Sequence, residues 1–360
     1  MNISSIIKNR FCTDNNYPIK IFKEPFFEKR LKTLGYYQEW LAFKDMLESN
    51  FNNEQEYLEH YNKVKNNAID FIKEQASYKK FESYNIKDEY NPFKIDRSRN
   101  GIFKKSNIGK VMLSVDLSSA NFSALKYFNP NIVANKNSYY DFISQFTEIE
   151  HIRNSKYIRQ VIFGNVNPKR QTRIEKFLIG RFIPVVLKTL LTQEEYQNEV
   201  ERRADNVENI LISYMDDEIV FDLTRFTAED FKRVDEEIKK FSKDSSINVR
   251  SDFFKIYNFE KIIDTFDGQQ IVSETDFYLK KSIFGDYAEN FEFKCIDPIS
   301  YPLVYSMYMG NPVAEEDKYF YHEGFVAKII DNIQFRLRGT EGITNEEDII
   351  DNRCTAILPE

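Results

Sequence analysis

Three consecutive acidic residues between two short apolar runs constrain this chain more than any other feature. Residues 209–222 read Asn-Ile-Leu-Ile-Ser-Tyr-Met-Asp-Asp-Glu-Ile-Val-Phe-Asp, which places the acids at Asp216, Asp217 and Glu218. Short runs rich in Ile and Val on both sides predict a β-hairpin with the acids at its turn. Like charges a few ångströms apart cost roughly 1 to 4 kcal/mol per pair near a protein surface, so a fold that keeps them usually supplies a cation.

A further acid ends another apolar run upstream. The segment Val111–Asp116 reads Val-Met-Leu-Ser-Val-Asp, which predicts a strand that ends on Asp116. If this strand lies beside the hairpin, the carboxylates of Asp116, Asp216 and Asp217 converge, with Glu218 as a fourth candidate ligand. Mg²⁺ prefers oxygen ligands and leaves room for phosphates, so the pattern predicts a two-metal phosphoryl-transfer site. Mn²⁺ is the alternative ion.

The composition describes a globular protein in a reducing compartment. Of the 360 residues, 42% are hydrophobic and 30% are charged. The three cysteines are far apart and form no C-x-x-C pair, which argues against a disulfide framework and a zinc cluster. The N-terminus lacks the apolar core of a signal peptide, and no apolar run is long enough to cross a bilayer. We therefore expect a cytoplasmic protein without a membrane partner.

Local charge points to phosphate binding, although the net charge of −7 argues against non-specific coating of DNA. The segment 151–188 contains nine Lys and Arg residues and one acid, which gives it a charge of +8. Such a patch is typical of a surface that binds nucleotide phosphates or a nucleic-acid backbone. Lys169, Arg170 and Arg173 are the candidate nucleic-acid ligands. The alternative is a solvated basic face of a helix.

The order of predicted elements indicates an α+β fold. Apolar spacing and helix-breaking residues predict a helix over 54–73, a linker over 84–100 and the strand that ends at Asp116. They then predict helices over 118–128, 148–163 and about 185–206. The hairpin, a helix capped at Thr227 and a strand over 247–257 follow. This is the β-α-β-β-α-β order of the ferredoxin-like fold, with a large helical insertion in the first crossover. The predicted domains are a helical region 1–105, a central domain 106–260 with the insertion at about 130–206, and a C-terminal α+β region 261–360, in which we expect strands and turns.

Three motifs, in this order along the chain, resemble the palm and fingers of the family A DNA polymerases. Asp116-Leu117-Ser118-Ser119-Ala120-Asn121-Phe122 resembles the first palm motif, and Arg159-Gln160-Val161-Ile162-Phe163-Gly164 resembles the core of the fingers helix. Met215-Asp216-Asp217-Glu218-Ile219-Val220-Phe221 resembles the final hairpin motif. The hairpin also resembles the Tyr-Met-Asp-Asp box of reverse transcriptases, spelled by Tyr214–Asp217. The resemblance covers about 111–257.

The resemblance implies a role for each acid at the metal site. In the family the first Asp and the hairpin acids bind the metal ions, which assigns that role to Asp116 and Asp217. The family A alignment pairs Asp217 with Glu218, whereas the reverse transcriptase alignment pairs Asp216 with Asp217. We favour Asp217, which is common to both. The alternatives from local structure are that Asp116 caps the following helix and that Asp216 and Asp217 are ordinary turn residues.

The resemblance also implies nucleotide-binding residues in the insertion. Arg159 would contact the triphosphate, aided by Lys156 or Arg153, where the family normally has Lys at the position of Arg159. Phe163 would stack beneath the incoming base, with core packing as the alternative. Asn121 stands where the family uses Glu to select deoxyribose, so the choice of sugar stays open.

The resulting hypothesis is a small template-directed DNA polymerase of a reduced family A type. Its partners would be a primer–template, nucleoside triphosphates and an accessory replication protein. One alternative is a reverse transcriptase or a primer-independent nucleotide polymerase. Another is a catalytically inactive palm that binds nucleic acid or a partner protein. The abundance of Asn, Lys and Ile indicates an AT-rich genome, such as that of a phage or a Gram-positive-like bacterium.

Overall fold

A computed structural model describes residues 3–19, 26–93, 101–201, 210–265, 267–322, 325–328 and 333–338. The described chain is α+β, and it divides into two compact units. Unit 1 comprises Met1–Pro92, Leu117–Leu178 and Asp297–Asp331, and unit 2 comprises Phe93–Asp116, Ile179–Ile296 and Asn332–Glu360. Each unit gathers separate stretches of the sequence, whereas the predicted domains are contiguous.

The helices of the described chain lie mostly before residue 201. In chain order they are α1 Ser5–Asp14, α2 Phe26–Thr33, α3 Tyr37–Asn50, α4 Glu54–Glu74, α5 Ala76–Ser83, α6 Ile86–Glu89, α7 Ala120–Phe128, α8 Tyr139–Ile143, α9 Glu150–Asn154, α10 Lys156–Gly164, α11 Pro168–Gly180, α12 Ile183–Leu190, α13 Gln193–Glu201, α14 Ala228–Ser245 and α15 Tyr301–Tyr308. Short 3₁₀ helices span Lys105–Asn107, Pro130–Val133, Gly285–Tyr287 and Glu315–Lys318. None of the helices in these ranges is long and apolar enough to cross a membrane.

The strands form one large sheet in unit 2 and a small hairpin in unit 1. In chain order they are β1 Val111–Leu117, β2 Leu211–Tyr214, β3 Glu218–Asp222, β4 Val249–Asp264, β5 Gln270–Phe284, β6 Phe291–Lys294, β7 Tyr319–His322, β8 Phe325–Lys328 and β9 Ile333–Leu337. The large sheet has the order β2-β3-β1-β4-β5-β6, and β9 pairs with the second half of β4. The hairpin of β7 and β8 belongs to unit 1.

Unit 1 is built from amphipathic helices whose buried faces are rich in aromatic residues. The predicted helix over 54–73 is confirmed as α4, which begins at Glu54 because the Asn53 side chain accepts a hydrogen bond from the Glu56 amide at 3.0 Å. Trp40 on α3 is 1% exposed, and its ring packs edge-on against Phe11 and Phe27, with centroids 5.0 and 5.1 Å apart. Buried aromatic pairs of this kind supply much of the packing energy of a helical core.

The predicted helix over 148–163 is wrong in one respect, because the structure has two helices there. α9 ends at Asn154 and α10 begins at Lys156. Ser155 between them has an extended backbone, and its hydroxyl oxygen accepts from the Ile158 amide at 3.0 Å and donates to Asp14 at 2.6 Å. A serine that caps the next helix competes with helix continuation, which explains the break.

Four helices of the described chain after residue 84 were not predicted. Two are short, namely α6, which lies within the predicted linker, and α8; the other two, α11 and α15, have a proline in the first turn. α11 begins at Pro168, and α15 carries Pro302 in its first turn. Proline is tolerated at the start of a helix because its missing amide has no partner there anyway. The expectation of strands and turns after residue 260 therefore holds for β5 to β9 but is wrong for α15. The predicted helix over 185–206 is present as α12 and α13, and residues 202–206 lie outside the described ranges.

The sheet of unit 2 follows the predicted order of a strand, helices, two strands, a helix and a strand. The predicted hairpin is confirmed as β2 and β3, and the cap at Thr227 is confirmed as a reciprocal capping box with Asp230. The predicted strand over 247–257 continues as β4 to Asp264, because β5 and β9 both pair with its second half.

The two faces of this sheet differ in what covers them. On one face α14 packs through Phe231, whose ring lies 5.4 Å from that of Phe253 and 6.2 Å from that of Phe284. The opposite face carries a cluster of buried side chains, against which residues before β1 pack; the cluster consists of Met112, Val220, Phe254, Ile256 and Tyr278. This second face also carries the charged side chains described below.

Candidate active site

The sheet of unit 2 brings acids from two neighbouring strands together. β1 pairs with β3 in antiparallel register, and Asp116 stands directly opposite Glu218. Asp216 and Asp217 form the turn between β2 and β3, which is closed by a 2.8 Å hydrogen bond from the Met215 amide to the Glu218 carbonyl. Acids directly opposite each other in a sheet repel, so this arrangement costs stability unless a cation or a proton neutralises it.

The electrostatic cost appears in the pKa of the half-buried Asp116. Burial, and then the negative charges of Asp217 and Glu218, raise the pKa of this carboxyl from 3.8 to about 6. The pKa of Asp217 is also raised, first because its carboxyl group is partly removed from water and then by the charge of Asp216. Asp217 is nevertheless exposed as a residue. The Ser114 hydroxyl donates a hydrogen bond to Glu218 and orients that carboxylate on the face of the sheet.

The side chains of these acids are not arranged as a complete metal-binding site. Among the residues that the structure describes, no group of three or more His, Cys, Asp or Glu side chains is arranged to hold a metal ion. The donor set itself fits a hard divalent cation, because it consists of carboxylate oxygens; burial and then their mutual repulsion raise the pKa of Asp116. Asp116 and Asp217, with Asp216 or Glu218, are the side chains that would hold such an ion.

Period-two alternation places further charges on the same face as these acids. Met112 and Val220 belong to the buried cluster with Phe254 and Tyr278. Alternate residues of a strand share a face, so residues two or four positions before or after these cluster residues lie on that face too. We call these residues the charged face: Ser114 and Asp116 on β1, Glu218 on β3, Arg250 and Asp252 on β4, and Lys280 and Ser282 on β5.

A buried ion pair occupies the centre of the charged face. The Lys280 ammonium lies 2.6 Å from an Asp252 carboxylate oxygen, and the Ser282 hydroxyl donates to the other oxygen at 2.7 Å. Lys280 is 8% exposed and Asp252 is 5% exposed. The ammonium also lies 4.2 Å from the centre of the Phe254 ring. Two charges removed from water are retained only with such close partners, so this pair holds β4 and β5 in one register.

Lys280, Asp252 and Arg250 were missed by the sequence reasoning. The signal for Arg250 and Asp252 is the alternation Arg250-x-Asp252-x-Phe254-x-Ile256 within the predicted strand, where polar residues continue the face of two apolar ones. That signal identifies a shared face without saying which other strands contribute to it. Only the strand order shows that β5, which carries Lys280, lies beside β4.

The predicted nucleotide ligands lie in unit 1, in two environments. The guanidinium of Arg159 donates to the Ser119 hydroxyl at 3.3 Å and lies 5.7 Å from the centre of the Tyr139 ring. Asn121 donates from its amide to the buried Glu175 carboxylate at 2.7 Å. Lys156, at the start of α10, is exposed.

Phe163 is fully buried in unit 1. Its exposed fraction is 0%, and its ring packs edge-on against Phe122 and Tyr139, with centroids 6.4 and 6.0 Å apart. This environment matches the alternative of core packing that the sequence left open. A base could reach this ring only if α10 rearranged.

The basic patch on α11 is partly used inside unit 1. Arg170 donates to the backbone carbonyls of Phe81 and Tyr84, the first at 2.9 Å. Arg173 donates to the Lys87 carbonyl at 3.0 Å. Both arginines therefore satisfy carbonyl groups near the ends of α5 and α6, whereas the neighbouring Lys169 is exposed.

Comparison with known proteins adds no family to these observations. No protein-family model, no curated protein and no solved structure matches the chain. The assignment of a function therefore depends on the sequence motifs, the strand order and the chemistry of the acids and of the charged face.

Proposed function

We propose that the chain is a nucleotidyltransferase that extends a primer 3′-hydroxyl with nucleoside triphosphates on a template, as a small palm-type polymerase. The observation that supports this most is that carboxylates from β1 and from the β2–β3 turn meet at one end of a sheet, with Asp116 opposite Glu218. The strand order β2-β3-β1-β4, with helices in both crossovers, supports a ferredoxin-like arrangement of the proposed palm. The order of the three polymerase-like motifs along the sequence adds to this.

The carboxylates would act by binding and orienting the reactants through divalent ions. When bound, Mg²⁺ or Mn²⁺ would lower the pKa of the attacking hydroxyl and stabilise the leaving pyrophosphate. Asp116 and Asp217 would supply oxygen ligands from two elements, and the Ser114 hydroxyl would keep Glu218 on the same face. The partial burial of Asp116 reduces competition from water for its carboxylate, which strengthens its interaction with a cation.

The proposed ligands in unit 1 have separate roles. Lys156 and Arg159 would bind the triphosphate, and Lys169 would contact a nucleic-acid backbone. Arg170 and Arg173 already bind backbone carbonyls, so they are the weaker candidates for that contact. Asn121 stands where the resembling motif selects the sugar, and its hydrogen bond to Glu175 fixes the direction of its amide.

The test is incorporation of labelled nucleotides onto a primed template. Wild type, Asp116→Asn and Asp217→Asn would be compared with dNTPs or NTPs, on DNA and RNA templates, in Mg²⁺ and in Mn²⁺. We expect incorporation by wild type and a loss of at least about 100-fold in both variants, because each removes a charged metal ligand. Asp244→Asn, which removes an exposed acid of α14, is the matched control and should retain activity.

The outcomes separate the candidate functions. Extension on RNA templates in preference to DNA would indicate a reverse transcriptase, and extension without a primer would indicate a primer-independent polymerase. Binding of primer–template without incorporation under any of these conditions would contradict the proposal and would indicate an inactive palm that serves as a binding module.

A further inference from the structure

Arg250 is a cation of the charged face that packs against an aromatic ring. It is exposed, and its guanidinium lies 5.0 Å from the centre of the Tyr287 ring. In the part of the chain that the structure describes, this guanidinium makes no ion pair and no hydrogen bond. A guanidinium held against an aromatic face keeps its donors free, because the ring contacts its plane rather than its edge.

The other cations near this face are already neutralised. Lys280 forms its buried pair with Asp252 at 2.6 Å, and Lys294 pairs with Glu292 on β6. Arg250 therefore leaves one positive charge on this face that no described carboxylate pairs with directly. Its charge acts to lower the pKa of both Asp116 and Glu292, which is consistent with a position close to these acids.

We propose that Arg250 binds a phosphate group of the substrate at the charged face. This inference rests on the proposed function, because divalent ions on the carboxylates would give the face an excess of positive charge that an anion must balance. A guanidinium presents two parallel N–H donors that match two phosphate oxygens. Tyr287 holds the guanidinium, so less side-chain entropy is lost when the phosphate binds.

Support for the position of Arg250 comes from the buried pair beneath it. Asp252 lies two residues further along β4, and its bonds to Lys280 and Ser282 fix that strand against β5. A rigid strand positions a ligand more accurately than a loop does. Lys280 is thus a positioning residue, and Arg250 is the residue that would touch the phosphate.

Phosphate could come from a nucleoside triphosphate or from a nucleic-acid backbone. Two probes distinguish these sources in the absence of turnover. Inorganic tripolyphosphate with Mg²⁺ represents the triphosphate, and its binding would be measured by isothermal titration calorimetry. A labelled primed DNA duplex represents the backbone, and its binding would be measured by fluorescence anisotropy at fixed salt concentration.

The variants are Arg250→Gln and Arg250→Lys, with Arg225→Gln as the matched control. Arg225 belongs to the same unit, is also exposed, and lies at the same distance of 5.0 Å from an aromatic ring, that of Phe226. For the probe that Arg250 binds, we expect Arg250→Gln to weaken binding about 10- to 100-fold, the range for a hydrogen bond between charged groups. Arg250→Lys should lose less, because it keeps the charge, and Arg225→Gln should stay within about twofold of wild type.

Each outcome supports or overturns the inference. Loss for tripolyphosphate alone would identify the triphosphate as the ligand, and loss for the duplex alone would identify the backbone. Unchanged affinity of Arg250→Gln for both probes, or no binding of either probe by wild type, would overturn the inference. Far-UV circular dichroism of each variant establishes that its fold is retained.

The failure of this inference can be told apart from the failure of the proposed function. Arg250→Gln could still incorporate nucleotides with an unchanged KM for the triphosphate and an unchanged affinity for the duplex. In that case the polymerase proposal stands, and Arg250 does not bind the phosphate. If the protein incorporates no nucleotide but still binds phosphate through Arg250, the polymerase proposal fails and Arg250 remains a phosphate ligand.

Discussion

Replacing Asp116 by Asn should stabilise the protein at neutral and alkaline pH when divalent ions are absent. The folded state raises the pKa of this carboxyl from 3.8 to about 6, first through burial and then through Asp217 and Glu218. The folded state therefore holds the proton more tightly than the unfolded state does. The contribution of Asp116 to stability is therefore greatest below about pH 4, falls as the pH rises from about 4 to 6, and is constant above that.

The size of the effect follows from the same pKa. Each pKa unit corresponds to about 1.4 kcal/mol, so the rise from 3.8 to about 6 corresponds to roughly 3 kcal/mol at pH 8. Asp116 is only half-buried, and solvent screens part of the interaction. We therefore expect Asp116→Asn to unfold with a free energy about 1–3 kcal/mol greater than wild type at pH 8, and with a difference near zero at pH 4.

The measurement is urea denaturation in EDTA at pH 8, 6 and 4, followed by far-UV circular dichroism. Fluorescence of the single tryptophan, Trp40, is less suitable because Trp40 lies in unit 1 and Asp116 lies in unit 2. Asp244→Asn is again the control, since it removes one negative charge at an exposed position. It should change the free energy of unfolding by less than about 0.5 kcal/mol at each pH.

Divalent ions should reverse the order of stability. A ligand that binds only the folded state adds about 2.7 kcal/mol at one hundred times its dissociation constant. Wild type should gain this stabilisation from Mg²⁺ or Mn²⁺, and Asp116→Asn should gain much less. If Asp116→Asn is no more stable than wild type at pH 8 in EDTA, or if the difference is the same at pH 4, the account of repelling carboxylates is refuted. If the ions stabilise both proteins equally, the metal assignment is wrong.

Three further substitutions test the packing around the site and in unit 1. Gly180→Ala would place a methyl group against the Tyr214 hydroxyl and 3.2 Å from the Phe93 Cβ. It should cost about 1–3 kcal/mol of stability in urea denaturation, and Tyr214→Phe in the same chain should recover part of that loss. Asp14→Ala should cost about 3 kcal/mol or more in unit 1, measured through Trp40 fluorescence, because the buried carboxylate accepts hydrogen bonds from Tyr61 and Ser155 at 2.7 and 2.6 Å. Thr227→Ala should lose about 1 kcal/mol by removing the cap of α14, whereas Thr227→Ser should keep it.

Local signals in the sequence predicted elements whose causes are themselves local. The start of α4 follows from the Asn53 cap, and the start of α14 follows from the capping box at Thr227. The break at Ser155 was not predicted, although its cap on α10 is local, because a serine caps a helix only in some settings; here the hydroxyl is also held by Asp14, which lies 141 residues away in the sequence. The length of β4 was likewise underestimated, because its second half is stabilised by pairing with strands that come later in the chain.

The acids of the candidate site could be found from the sequence, but their setting could not. A single strand ending in Asp116 and a turn with three acids suffice to predict a charged site. Which side chains share a face depends on register, and a slip of one residue moves every side chain to the other face. The contribution of Lys280 and Arg250 therefore required the pairing of β4 with β5 and the position of β1 beside β4. The burial of Phe163 likewise depends on Phe122 and Tyr139, more than twenty residues earlier in the chain.

The long strand β4 has partners along both of its edges. β5 pairs with it from Phe253 to Asp264, while on the other side β1 flanks its first half and β9 its second half. Its backbone amides can exchange with deuterium only when at least one neighbouring strand detaches, so β4 should be among the slowest segments of unit 2 to take up label. Arg250 and Asp252 lie just before this stretch, so the placement of the charged face depends on a strand that its neighbours hold from both sides.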